Sequence, residues 1–208
     1  AEALYITREI RNLVENKVKL SDIAILTRAS FQFKDIEDRF LKEGIKYRVV
    51  GGLRFYERAE IKDALSYFRL LINKSDNLAF ERIINIPKRG MGKAFIQRLY
   101  EFSNEENTSL FEALDRLVDL KDMKNQQLSK SKQLLQILNN HSKMLEKDGH
   151  SDVAGSLLEE VGYIEMLQAD KTPEADGKLE NLKKLVSDIK NRNSIYEFLE
   201  EVSLLTDI

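Results

Sequence analysis

Val50-Gly51-Gly52-Leu53-Arg54-Phe55-Tyr56-Glu57-Arg58-Ala59-Glu60-Ile61-Lys62-Asp63-Ala64-Leu65 joins two kinds of sequence. Before it, helix and strand signals alternate. Ile6, Ile10, Leu13 and Val14 recur at helical spacing, and residues 23–26 form a short continuous apolar run of the kind buried in a parallel sheet. Phe33, Ile36 and Phe40 mark a further helix, which Gly44 is expected to end in a left-handed conformation. Residues 47–50 supply a second strand, closed by Gly51 and Gly52. This order predicts an α/β layer. Two strands are too few for a stable sheet, so the layer is expected to need strands from outside this sequence.

Just beyond, Ile61, Ala64, Leu65, Phe68, Leu71 and Ile72 line one face of a helix. After Asn73-Lys74-Ser75-Asp76-Asn77 only helical periodicity is found: Phe80, Ile83 and Ile84; Phe95, Leu99 and Phe102; Leu134, Leu138 and Leu145; Leu182, Leu185 and Ile189; Ile195, Phe198 and Val202. The fold class expected is α/β, an incomplete parallel sheet layer, followed by an all-α helical domain of about 125 residues, large enough to hold its own core. Residues 1–76 would form the first part and residues 77–202 the second, with 203–208 returning towards the first. A hinge is expected at residues 73–77.

Composition narrows the chemistry. With 42% hydrophobic and 33% charged residues among 208, the chain reads as an ordinary globular protein. No apolar run approaches the roughly 20 residues that span a bilayer, so no membrane role is expected and a cytoplasmic location is the default. Cysteine is absent, which removes disulfides, thiolate metal sites and cysteine nucleophiles together. The two histidines, His141 and His150, lie in polar surroundings and are expected to be solvated. A net charge of −2 argues against nonspecific coating of nucleic acid but leaves local contact open, because clustering rather than the total sets the local field. No G-x-x-x-x-G-K-[ST] phosphate loop is present, and no acidic strand-end motif that would hold magnesium.

Three segments carry candidate chemistry. In Pro87-Lys88-Arg89-Gly90-Met91-Gly92-Lys93, two glycines permit a tight turn and close approach of a phosphate to the main chain, and three cations add attraction. The same residues also suit a plain glycine turn between helices with solvated charges. In Leu53-Arg54-Phe55-Tyr56-Glu57-Arg58, aromatics alternate with cations, so Arg54, Phe55, Tyr56 and Arg58 could stack on bases and neutralise phosphates. Phe55 or Tyr56 could equally plug the edge of the layer. In Leu26-Thr27-Arg28-Ala29-Ser30-Phe31-Gln32-Phe33-Lys34, Arg28 stands at the carboxyl end of an expected strand, where open α/β sheets place ligand contacts.

Together these segments resemble, in order and spacing, accessory motifs of the UvrD/PcrA/Rep group of superfamily I DNA helicases. Residues 51–71 match most closely. Lys88-Arg89-Gly90-Met91-Gly92 is similar to the family's G-I-G element, with Met91 in place of isoleucine. The Arg28 segment is similar to R-x-N-x-Q-x-R, matching at Arg28 and Gln32, with Ser30 for the asparagine and Lys34 for the last arginine. Leu179-Glu180-Asn181-Leu182 is similar to a late N-L-E-E-L helix. The resemblance implies part of a RecA-like second motor domain (2A) and an inserted helical domain (2B) of a bacterial ATP-dependent helicase. Such a helicase moves 3′→5′ on single-stranded DNA and separates duplex in repair or replication restart.

By the same resemblance, Arg28 would contact single-stranded DNA, while Lys88, Arg89, Gly90, Met91, Gly92 and Lys93 would grip duplex at a junction. Repair proteins would be further partners. ATP and Mg2+ would serve the parent protein, with no catalytic or metal-binding residue here and no enzyme activity of this region alone. The alternative is a stand-alone helical module that binds proteins, in which Lys88 and Arg89 are incidental. A nuclease would need clustered metal-binding acids, and no such spacing stands out.

Overall fold

The computed structural model describes residues 2–27, 32–49, 55–145, 149–172 and 174–206. By packing, the chain divides into two units, Ala1–Arg58 with Val202–Ile208, and Ala59–Glu201.

In the first unit, α1 (Glu2–Glu15) and α2 (Phe33–Lys42) pack together around Ile10, Ile36 and Phe40. Gly44 ends α2 with φ +66°, and the amide of Ile45 returns to the carbonyl of Phe40 at 2.8 Å. The α/β expectation is overturned: among the described residues there is no β-strand, and the fold is all helical. The two apolar runs still face the helices. Ile23, Ile25, Ile45 and Tyr47 pack on the α1/α2 core, whereas Leu26 is 95% exposed. Side-chain burial was therefore readable while backbone pairing was not. A parallel ladder draws its bonds from neighbours on both sides, and two short segments offer each other too few to form one.

The second unit is built around α3 (Ala59–Ile72), on which Ile61, Ala64, Tyr67, Phe68 and Leu70 are wholly buried. Around it lie α4 (Asn77–Ile83), α5 (Lys93–Glu105), α6 (Leu110–Asp119), α7 (Asn125–Met144), α8 (His150–Glu160), α9 (Tyr163–Ala169) and α10 (Ala175–Lys190), while α11 (Ile195–Thr206) belongs to this unit as far as Glu201. α3 packs directly on α4, α7, α8 and α10. A helix touched on that many sides has little solvent face left, which is why Glu60, Asp63 and Ser66 are buried along with its apolar residues. α6 starts at a reciprocal cap: Ser109 Oγ accepts from the amide of Glu112, whose carboxylate accepts from the amide of Ser109.

Two local expectations change here. Of residues 73–77, expected as a hinge, 73–76 form a turn inside this unit and Asn77 begins α4, with Arg69 paired to Asp76 at 2.5 Å and Asp76 capping α4 through the amide of Ala79. The histidines are not solvated. His141 shares the buried stripe of Leu134 and Leu138 and is 2% exposed, with Nδ1 3.0 Å from the carbonyl of Ile137. His150 is half-buried, and its Nε2 donates to the carbonyls of Ile189 and Arg192 at 3.1 and 2.8 Å, closing the end of α10.

Candidate nucleic-acid interface

The connection from α4 to α5 is organised by an amide that no sequence motif singles out. Asn85 Oδ1 accepts from the amides of both Arg89 and Met91, at 2.8 and 3.1 Å, and so folds the intervening backbone around itself. Gly90 sits between those amides with φ +77°, a conformation that a side chain would strain. From α7, Gln127 Nε2 donates to the carbonyl of Gly90 at 2.7 Å, fixing the far side of the turn.

The result is a strict alternation. Lys88, Gly90 and Gly92 are exposed, and Arg89 and Met91 are buried. Met91 fills the space beside Ser131 and is wholly buried, as suits the apolar position. Arg89, expected to meet phosphate, turns inward. Its Nη1 donates to the carbonyls of Ile83, Ile84 and Pro87 at 3.0, 3.3 and 3.2 Å, and its Nη2 donates to Tyr67 Oη at 2.9 Å and to the carbonyl of Val161 at 3.2 Å. One guanidinium thus ties the turn to α3 and to the end of α8.

Tyr67 passes its own proton to the carbonyl of Ile86 at 2.5 Å. Burial pushes its hydroxyl up to about 12, only partly opposed by the neighbouring Arg89. The Tyr67 and Tyr163 rings meet edge to face at 6.3 Å, and Tyr163 donates to Asp63 at 2.8 Å, while Arg82 holds the other oxygen of Asp63 at 2.7 Å. Burial pushes Tyr163 up as well, with the Asp63 carboxylate adding to it. These groups are separated by up to 100 residues along the chain, and no local signal marks their meeting.

What faces outward is a short cationic edge. Lys88 and Lys93 are exposed on either side of Gly90 and Gly92, and Gly92 is the residue before α5, where no side chain caps the first turn. The amide of Phe95 bonds back to the carbonyl of Gly92 at 3.0 Å, while helix geometry leaves the earlier amides of that turn without partners in the helix, where an anion could sit. Of the predicted duplex-binding set, the structure brings Lys88, Gly90, Gly92 and Lys93 together at the surface and sends Arg89 and Met91 to the interior.

The remaining candidates belong to the first unit. Arg28 and Arg54 lie outside the described residues. Phe55 is 1% exposed, with its amide bound to Glu37 at 3.1 Å, so it is unavailable to stack on a base. Tyr56 is half-buried and meets Phe55 edge-on at 5.2 Å. Lys34, almost wholly buried, lies 5.4 and 5.2 Å from those ring centres and 2.6 Å from Asp38. Arg58 is half-buried near Glu37, whose carboxyl burial holds above the usual range against the opposing bond from Phe55. Among the described residues no cluster of His, Asp and Glu could hold a metal ion, and no helix is long and apolar enough to cross a membrane.

Comparison with known proteins bears out the resemblance to the UvrD/PcrA/Rep group. The profile of the family described as UvrD-like helicase C-terminal domain matches residues 1–208. The probable DNA helicase II homolog of Rickettsia conorii is 39% identical over 207 residues, covering 99% of this chain and 32% of that protein. The DNA helicase II of Rickettsia typhi is similar to the same extent, 39% over 207 residues with the same coverage. The ATP-dependent DNA helicase PcrA of Staphylococcus aureus is 34% identical over 217 residues, covering 100% of this chain and 29% of that protein. The chain spans about a third of the length of the curated relatives it matches.

Proposed function

The chain belongs to the UvrD-like helicase C-terminal domain family, and from that footing we propose that it is the accessory region that grips duplex DNA for an ATP-dependent helicase. The parent would move 3′→5′ on single-stranded DNA in the bacterial cytoplasm and part the strands during repair or replication restart. ATP and Mg2+ would be held by residues outside this chain, since no phosphate loop occurs within it. Residues 1–76 would correspond to domain 2A, 77–202 to the inserted domain 2B and 203–208 to the return. On that division α3 would fall in 2A although it packs with the helical unit. Arg28 would touch the single strand.

The observation that carries this reading is the alternation in the turn. Arg89, Met91 and Asn85 hold the backbone from inside, so that Lys88, Lys93 and the two glycines present a preformed edge to a phosphate. Such an edge positions DNA without reading bases. Arg89 supports the edge and does not meet the phosphate.

The test is fluorescence anisotropy of a labelled blunt duplex with Lys88→Ala/Lys93→Ala. Affinity should fall irrespective of base sequence, and the slope of log affinity against log salt should fall by roughly one for each phosphate no longer neutralised. Unchanged affinity at low salt would sink the reading.

A further inference from the structure

Among the described residues α7 is the longest helix, at 20 residues, and contains no aspartate or glutamate, while each of the other ten α-helices contains at least one. With 35 acidic residues in 208, a helix of that length would carry about three at the chain's average. Its polar residues are Lys, Gln, Asn, Ser and one buried His. They are arranged in a line. Asn125, Ser129, Lys132, Gln136, Asn140 and Lys143 are all exposed and follow one another at steps of three or four, which places them on a single ridge. Lys130 is also exposed, but it stands two residues from Lys132 and in line with the buried Leu134 and Ile137, so it lies off the ridge. The ridge is ~27 Å long, the rise of eighteen residues.

The position of α7 gives this line a meaning. Its first turns are docked on the glycine turn: Gln127 donates to the carbonyl of Gly90 at 2.7 Å, and Ser131 Oγ lies 3.9 Å from Met91 Sδ. Lys124, exposed just before α7, stands at the same end as Lys88 and Lys93. Among the described residues, acidic groups near α7 lie on other elements. Asp115 and Asp119 lie on α6, Asp122 is paired with Arg98, and Glu160 of α8 approaches His141 at 3.6 Å.

We propose that the solvent face of α7 is a second duplex-binding surface, continuous with the glycine turn, which tracks the phosphate backbone for several base steps. The proposal rests on the function proposed above and extends it by naming the surface. Lysines separated by amide and hydroxyl donors match a row of phosphates, since Asn, Gln and Ser supply hydrogen bonds to phosphate oxygens as readily as Lys supplies charge. A lipid surface would require exposed apolar anchors, and the large apolar residues of α7 are buried apart from Met144, 36% exposed, and the half-buried Leu128.

The experiment compares wild type, Lys132→Gln/Lys143→Gln, Gln136→Glu and the turn variant Lys88→Ala/Lys93→Ala in the 208-residue chain, by anisotropy of a labelled duplex across a salt series. All substitutions on α7 are at exposed positions and exchange good helix formers, so circular dichroism should be unchanged. Lys132→Gln/Lys143→Gln should weaken duplex binding about tenfold or more at low salt and lower the salt slope by roughly two. Gln136→Glu should weaken it several-fold by repulsion alone. If the turn variant weakens binding and both α7 variants bind like wild type, the α7 surface is refuted and the turn reading stands. If wild type shows no salt-dependent duplex binding, both are refuted. If the α7 variants lose polyglutamate binding but keep duplex binding, the surface serves an acidic protein instead and the proposal is overturned.

Discussion

Replacing Arg89 by methionine removes one planar cation and leaves a similar apolar volume in a site that is 8% exposed. Five hydrogen bonds disappear with it. The carbonyl of Ile83 keeps a partner, because it also accepts from the amide of Ile86 at 3.0 Å. The carbonyls of Pro87 and Val161 lose the donor that met them, and Tyr67 Oη keeps its bond to the carbonyl of Ile86 but loses the donor it accepted from. A hydrogen bond to a charged donor contributes about 1.5–3 kcal/mol, and such bonds do not add when they share one donor group. Loss of a buried charged network therefore costs about 3–5 kcal/mol in total, a large share of the roughly 5–15 kcal/mol that holds a domain folded.

Urea denaturation of the 208-residue chain, followed by circular dichroism, measures this directly. Arg89→Lys should recover only part of the loss, since one ammonium cannot reach the turn carbonyls and the Tyr67 and Val161 oxygens at once. Binding of duplex by the folded fraction should change less than stability does. A loss below about 1 kcal/mol for Arg89→Met, accompanied by a tenfold weaker duplex complex, would show that Arg89 faces solvent and meets phosphate, and would refute the inward assignment.

Further outcomes follow from the same geometry. Tyr67 keeps its proton up to about 12 when folded and titrates near 10 when unfolded, so the folded state binds the extra proton between these values. Stability should be full below pH ~10 and fall by roughly 2–3 kcal/mol as pH rises through that window, a slope that Tyr67→Phe should reduce; a midpoint independent of pH there would contradict the burial. Gly90→Ala should cost about 1–2 kcal/mol through its left-handed backbone, although the added carbon would lie 3.9 Å from Gln127, and Gly92→Ala should cost less because its φ of −77° is ordinary. Equal denaturation midpoints for the two variants would count against the turn geometry. The chain alone should release no phosphate from ATP in the presence of single-stranded DNA, and turnover that survives repurification and scales with protein would overturn the placing of the ATP site elsewhere.

Much of the helical unit was legible because its signal is local. Phe80, Ile83 and Ile84, or Leu182, Leu185 and Ile189, recur at the helical period and are buried as that period requires. The first unit misled for a related reason: a short apolar run reports that side chains are hidden, and Ile23, Ile25, Ile45 and Tyr47 are indeed packed, but it does not report whether the backbone finds a neighbour. His141 misled because its polar surroundings in sequence lie on other faces of α7, while its own face continues the stripe of Leu134 and Leu138. Within the turn, the glycines and flanking lysines were readable from spacing. The direction of Arg89 was not, because its partners Tyr67 and Val161 stand 22 and 72 residues away. Asn85 gave the nearest available hint, an amide placed to bond the backbone a few residues on.

The alternation of the turn separates two properties that are usually entangled. Inner positions carry the durability of the fold, and in the proposed function outer positions would carry the strength of attachment to duplex. Lys88 and Lys93 can accordingly be exchanged or reversed in sign with little effect on folding, so the grip can be graded up or down over evolutionary time while the scaffold stays intact. A motor of the proposed kind, which lets go of its track at every step, would gain from that independence. Its hold can be set by the needs of release, with no corresponding demand on the interior that keeps it in shape.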